Sequence, residues 1–289
     1  MSLLDAATLA HLQSWQGKTE TRQDSLGLGP VRAMSATLDR DDAEPHDGDA
    51  LPPLWHWLYF LPVAKQSEIG PDGHPKRGGF LPPVPLPRRM WAGGRLHWHQ
   101  PLRLGEDVQR VSSIEKVQHK TGRSGELLFV QVLHRYSNPN GLCLEETHDI
   151  VFRPAADANA VPAPGVKPAH SAVWQRDIVP DDVLLFRYSA LTFNSHRIHY
   201  DRRYVTQVEG YSGLIVHGPL MATLLVDLLR RHSLRALQSF EFKAVKPVFE
   251  CADQRVLSVC AQPEGEQVHA WVQDHQGDVC MQATARWAS

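Results

Sequence analysis

The stretch HGPLMATLLVDLLRRH, residues 217–232, decides the fold. Between Leu220 and Leu229 the clearly polar residues are Thr223 and Asp227, four apart and therefore on one face of a helix. A helix that is apolar over the rest of its surface is enclosed by protein on nearly all sides. Pro219 suits the first turn, where its missing N–H would have had no acceptor anyway. Four β-rich runs follow, near 237–248, 255–262, 267–274 and 279–287, and Glu264-Gly265 and Gln276-Gly277 supply turns between them. Upstream, Val183–Tyr188 (VLLFRY) reads as a short strand leading into SALTFNSHRIHYD at 189–201. The pattern is that of a central helix wrapped by an antiparallel sheet.

Working outward, residues 154–170 (PAADANAVPAPGVKPAH) are rich in Pro and Ala, without apolar periodicity, and read as a linker. The preceding half has a similar outline, with strand-like runs near 94–100, 107–119, 126–137 and 142–153 and turns at Thr121-Gly122 and Pro139-Asn140-Gly141. Its counterpart to the central helix is the apolar run Pro53–Leu61 (PLWHWLYFL). Residues 71–94 are then a long proline-rich loop, and loops of that length commonly serve a function. The expected fold is α+β, a double hot dog. A divergent first hot dog occupies 1–153, the linker 154–170, and a better-kept second hot dog, carrying the chemistry, 171–289.

Composition narrows the function. The 289 residues are 42% hydrophobic and 21% charged, ordinary for a soluble globular protein. A net charge of −2 gives no broad basic footprint for nucleic acid. Cys143, Cys251, Cys260 and Cys280 lack CxxC or finger spacing and read as small buried strand residues in a reducing compartment. The N-terminus lacks a basic region followed by an apolar run, and no stretch has the length of a membrane span. The expectation is a cytoplasmic protein without membrane or nucleic-acid partners.

The chemistry concentrates in 189–201. Its segment TFNSHRIHYD resembles the motif S-G-D-x-N-P-I-H-x-D of the MaoC-like, R-specific hydratases. Thr192 stands at the family's serine, Phe193 at its glycine, and Asn194 where the catalytic aspartate belongs. His196 and Arg197 replace Asn-Pro, while Ile198, His199 and Asp201 match. With asparagine for aspartate, the run is similar to the hydroxyacyl-thioester dehydratases of type 2, including two-domain hydratases of mesaconyl-C4-CoA or itaconyl-CoA. The resemblance extends to the two-part chain and to LPPLWHWLYFLP at 51–62. It implies reversible hydration of a 2-enoyl-CoA thioester without metal or other cofactor, on a small branched C5 dicarboxylyl group. A 3-hydroxyacyl-thioester dehydratase of fatty-acid synthesis, using CoA or a carrier protein, is one alternative. A non-catalytic acyl-thioester-binding hot dog is the other.

Water addition beside a thioester needs a proton-transfer group and stabilisation of the enolate oxygen. His199 is the expected general acid/base, and Asn194, which transfers no protons in that way, holds the water and fixes the histidine. Gly218 opens the long helix, where a backbone N–H suits an oxyanion. Arg197, in place of proline, is the candidate cation for an acidic acyl group, and His217 is the other candidate substrate-binding residue. Asp201 reads as a helix cap. Arg88, Arg89, Lys243 and Lys246 are candidate contacts for CoA phosphates, and Trp55, Trp57 and Trp91 either line the acyl site or pack. His97 and His99 share a strand face but lack a third ligand at recognisable spacing. There is no GxSxG elbow or P-loop, and GLGPVR at 27–32 lacks the third glycine of a dinucleotide fingerprint. Two hot dogs in one chain already mimic a hot-dog dimer, and a further homodimer is compatible with this reading.

Overall fold

The computed structural model describes residues 3–122, 125–155, 164–250 and 256–288. In chain order the elements are α1 (Ala6–Gln13), β1 (Thr19–Ser25), α2 (Leu28–Thr37), β2 (Arg88–Trp98), β3 (Asp107–Gly122), β4 (Gly125–Asn138), β5 (Gly141–Arg153) and β6 (Trp174–Ile178). Then come α3 (Asp182–Leu191), α4 (Arg202–Gln207), α5 (Gly218–His232), β7 (Leu237–Ala244), β8 (Leu257–Glu264), β9 (Gln267–Gln273) and β10 (Val279–Trp287). The strands form one ten-stranded sheet in the order β1-β3-β4-β5-β2-β7-β10-β9-β8-β6, with every pairing antiparallel. The first five come from the first half of the chain and the last five from the second. The expected α+β double hot-dog fold is present, its two sheets joined edge to edge.

The seam is β2 against β7, with Gly94 opposite Phe242 and Leu96 opposite Phe240. It demands glycine. A Cβ at Gly93 would meet the Phe242 carbonyl at 2.5 Å, and one at Gly94 the Phe242 ring at 2.9 Å.

Helix α5 is the expected central helix. All ten residues from Leu220 to Leu229 are buried, and the helix packs on β8, β9 and β10. Thr223 returns its hydroxyl to the Pro219 carbonyl at 2.8 Å, which satisfies one of the two buried polar side chains. The other, Asp227, receives Arg40 at 2.6 Å, Arg176 at 2.9 Å and Arg231 at 2.7 Å. A buried carboxylate is tolerated because three guanidinium groups converge on it. Arg40 comes from the first half, so the cluster also ties the halves together.

Three expectations about elements are corrected. Residues 183–188 are helix α3 and not a strand. Asp181 caps its first turn, accepting from Leu184 N–H at 2.8 Å, and the buried positions Leu185, Tyr188 and Ser189 follow helical spacing. The run 53–61 does not make a central helix. It forms a short 3-10 turn, Trp55–Leu58, held between Leu54 at φ 70° and Phe60 at φ 55°. That turn is fixed by the fully buried Glu146 carboxylate, which accepts from Trp57 Nε1 at 2.7 Å and Tyr136 Oη at 2.9 Å and bonds His56 and His148 at 3.0 and 2.6 Å. Polar satisfaction here overrides the apolar pattern. Finally, the proline-rich loop ends at Pro87, seven residues before the expected Gly94, because β2 already pairs with β5 from Arg88.

Elements α1, β1, α2 and β6 have no counterpart among the sequence expectations. The edge strand β1, TETRQDS, carries no apolar alternation and is fixed by pairing with β3. Cys143, Cys260 and Cys280 are buried in strands, as expected; Cys251 and part of the linker, 156–163, lie outside the described residues. Among the described residues no helix is long and apolar enough to cross a membrane.

Candidate active site

The site begins where α3 ends. Thr192 closes the helix and Phe193 turns the chain at φ 49°, in the left-handed region that favours glycine. This is the position at which the resembled motif has its glycine. The reversal brings the Asn194 N–H to the Ser189 carbonyl at 2.8 Å and its Oδ1 to the His196 N–H at 3.0 Å. The side-chain oxygen thus folds the loop, and the Asn194 amide nitrogen has no protein acceptor among the described residues. A single 3-10 turn, Arg197–His199, follows, and Asp201 caps α4 by accepting from Tyr204 N–H at 2.9 Å.

His199 is buried, with 8% of its surface exposed. Its Nδ1 lies 2.7 Å from the Ile215 carbonyl, which only accepts, so Nδ1 carries the proton and Nε2 keeps a lone pair. Burial pushes its pKa down to about 4, against the opposing pull of the Ile215 carbonyl, so the ring is neutral at ordinary pH. It stacks on His217 with centroids 3.7 Å apart. His217 is fully buried and pairs its Nε2 with Ser189 Oγ at 2.8 Å, so the end of α3 holds the ring on which His199 rests. Burial, with His199 and His196 nearby, keeps His217 neutral as well.

Gly218 follows directly as the first residue of α5, and a Cβ there would meet nothing within 4 Å. Its N–H belongs to a first turn that has no intrahelical acceptor. The carbonyl of a ligand has room to approach it.

The structure therefore gathers His199, His217, Asn194 and Gly218 at the junction of α3, the 194–199 loop and α5. Arg197 is otherwise engaged. Its guanidinium bonds Asp201 at 2.7 Å and the Pro71 carbonyl at 3.0 Å and covers the Tyr204 ring at 4.2 Å. Arg88 is bound to the Glu209 carbonyl at 2.7 Å, and Lys246 to Asp274 and Asp278 at 2.7 and 3.0 Å. Trp55 and Trp57 pack in the core, and Trp91 lies against His148. His97 and His99 are ring neighbours, and His99 pairs with Glu145.

Residue-by-residue reading missed what the proline-rich loop contributes. The Asp72 carbonyl accepts the Arg197 N–H at 2.9 Å, and the Gly73 carbonyl accepts Ser195 Oγ at 2.5 Å. Gly73, at φ 90°, presses so closely on Ser195 that any Cβ would overlap its carbonyl. The first half thereby delivers His74 to the site, 3.9 Å from His196, whose ring meets His199 edge-on at 5.4 Å. Asp72 holds His74 through Oδ2···Nδ1 at 3.1 Å. Burial favours a neutral Asp72, but bonding to His74 and nearby charge keep it well below the usual carboxylate range. Burial also lowers His74 and His196. Donor atoms of Asp72, His74 and His196 come within 4.8 Å of one another. A metal cation is nevertheless opposed there, because Arg77 and Arg89 both act on His74 and Arg89 acts on His196. The loop's length and its Asp-Gly-His-Pro turn were the available signals.

A family model for hydroxyacyl-thioester dehydratase type 2 matches residues 54–250. The chain belongs to that family. It is 46% identical over 276 residues to the mesaconyl-C(4)-CoA hydratase of Chloroflexus aurantiacus, covering 95% of this chain and 97% of the relative. It is 26% identical to the mitochondrial hydroxyacyl-thioester dehydratase type 2 of Schizosaccharomyces pombe, covering 84% and 90%. Among solved structures, a MaoC-like dehydratase from Phytophthora capsici superposes with a TM-score of 0.69 at 12% identity, covering 97% and 99% of the two chains. A Mycobacterium tuberculosis protein described as a double hot-dog fold gives 0.57 at 13%, covering 94% and 96%. At such identities these likenesses show the fold, and it is the double hot dog.

Proposed function

We propose that this chain reversibly hydrates a 2-enoyl-CoA thioester, with His199 as its single proton-transfer group. The observation that carries the reading is His199 itself: Nδ1 fixed on the Ile215 carbonyl, Nε2 left basic, and the open start of α5 following His217. The Asn194 amide nitrogen holds the water by donating to its oxygen. Nε2 of His199 takes a proton from that water as the oxygen bonds to the β-carbon. The double-bond electrons move to the thioester, whose enolate oxygen rests on the Gly218 N–H. The imidazolium then returns the proton to the α-carbon, so His199 ends neutral, as it began. Dehydration is the same path reversed. His217 supports the His199 ring through stacking.

The 46% identity to a hydratase of mesaconyl-C(4)-CoA favours a small branched C5 dicarboxylyl group and CoA over a carrier protein. On this reading 171–289 holds the proton-transfer loop and the enolate donor, and 1–153 completes the site with the proline-rich 71–87 loop. The enzyme works in the cytoplasm.

Purified protein should consume mesaconyl-C4-CoA, itaconyl-CoA or crotonyl-CoA, followed by loss of enoyl absorbance. His199→Ala should lose on the order of a thousandfold or more in kcat. Normal turnover by that variant would remove His199 from the mechanism. A wild type that binds these thioesters and turns over none of them would be an acyl-binding module.

A further inference from the structure

The 194–199 loop offers Arg197 as a cation, but its guanidinium is already bonded to Asp201 and Pro71. Arg89 differs. It stands second in β2, half-buried, and among the described residues it has neither a carboxylate at ion-pair distance nor a hydrogen-bond acceptor. Its charged neighbours are otherwise committed. Asp72 holds His74, and Arg77 is spent on the carbonyls of Val84 and Leu86, both at 2.5 Å, and of Pro87 at 2.6 Å. Burial, partly offset by Asp72, pushes Arg89 down to about 10, the mark of a guanidinium that lacks a full counter-charge. A half-buried cation without a protein partner is only partly compensated by water, and an anion brought by a ligand completes that compensation.

The position of this vacancy in the charge balance is informative. Arg89 acts on both His74 and His196, and the His196 ring is the neighbour shared by His74 and His199. One histidine ring, His196, thus stands between His74 and the proton-transfer group. Arg77, Arg89 and Asp72, with the histidines neutral, leave this cluster one positive charge in excess. Arg88, next in sequence, is held outside it by the Glu209 carbonyl and the Tyr211 ring.

We infer that Arg89 binds the free carboxylate at the far end of the acyl group and selects dicarboxylyl thioesters over simple enoyl thioesters. This specificity residue deepens the hydratase reading and rests on it for the site in which the acyl group lies.

Succinyl-CoA and butyryl-CoA test it. They have acyl groups of equal chain length, differ by the terminal carboxylate, and contain no double bond to hydrate. By titration calorimetry the wild type should bind succinyl-CoA about tenfold or more tighter than butyryl-CoA. Arg89→Gln should abolish that preference, and Arg89→Lys should keep part of it. If Arg89→Gln does not fold, Arg89→Lys carries the test through the ratio of kcat/KM for mesaconyl-C4-CoA and crotonyl-CoA, which should fall several-fold. Equal binding of the two probes by the wild type overturns the inference. So does an equal loss for both in Arg89→Gln, which would place Arg89 on the CoA arm. A wild type that prefers succinyl-CoA yet hydrates nothing would sink the hydratase reading and leave this one standing. Hydration without carboxylate preference would do the reverse.

Discussion

Asn194 shows how one residue can keep a loop's shape while changing its chemistry. Its Oδ1 accepts the His196 N–H, a bond an aspartate would make equally well. Asn194→Asp should therefore fold normally and add a negative charge to the loop that carries His199. The His199 pKa would rise from about 4, and the acid limb of kcat/KM against pH should move up by about one unit. An unmoved limb would separate the 194 side chain from His199. Gly218 allows a cleaner division. Its φ is ordinary and its Cβ position is empty, so Gly218→Ala should hold or raise the melting temperature, Ala favouring the helix by up to about 1 kcal/mol. The added methyl occupies the approach to the N–H, so kcat/KM should drop tenfold or more. Equal losses of stability and activity would deny the enolate role. His199 and Asn194 were proposed from the resemblance of the 192–201 run to the family motif, and Gly218 from its place at the start of the long helix. The carboxylate role of Arg89 was not legible in the sequence, since only the fold reveals which of several arginines lacks a partner among the described residues.

Among the elements, the proline-rich 71–87 loop has the largest consequence. It is pinned by three hydrogen bonds to the 194–199 loop and by the contact of Gly73 with Ser195. Gly73→Ala combines a left-handed φ with a backbone overlap. It should cost about 2–4 kcal/mol if the loop stays docked, or far less with activity reduced on the order of a hundredfold if the loop swings away. Denaturant midpoints and kcat measured on one preparation tell these apart, and a neutral result on both would contradict the docking. Sequence reading foresaw a functional loop here from its length alone. It misread two neighbours for one reason. Apolar runs such as VLLFRY and PLWHWLYFL do not declare their period in under ten residues. The Asp181 cap decided the first, and bonding to Glu146 the second.

At the scale of the whole molecule, burial lowers five histidines, His74, His134, His196, His199 and His217. Each has its folded pKa below the unfolded value near 6.5, so on acidification the unfolded chain takes up protons first. Stability should be greatest above pH 6.5 and fall steadily toward pH 4, with His199 alone contributing about 3 kcal/mol over that window. Asp72 and Glu146, held below the usual carboxylate range, add their loss at still lower pH. Urea unfolding as a function of pH reads this directly. His134→Gln, outside the site, should flatten the slope by roughly one proton, and a flat profile in the wild type would show that the rings are not neutral when folded. The double hot dog was legible through α5 and the strands after it. The union of its two sheets was not, because the β2–β7 contact depends on glycines that look like loop residues in sequence.

That contact has a further consequence. In a protein built from separate hot-dog subunits, the two halves must find each other, and dilution can part them. Here the partner is tethered, at an effective concentration on the order of millimolar for a short flexible connection. Assembly of the site, including a loop from one half lying on the reactive histidine loop of the other, is therefore independent of how much protein a cell makes. The same joining conceals two strand edges that would otherwise be open to pairing with strangers. A chain divided between Arg153 and Trp174 should yield pieces that aggregate singly and recover activity when mixed.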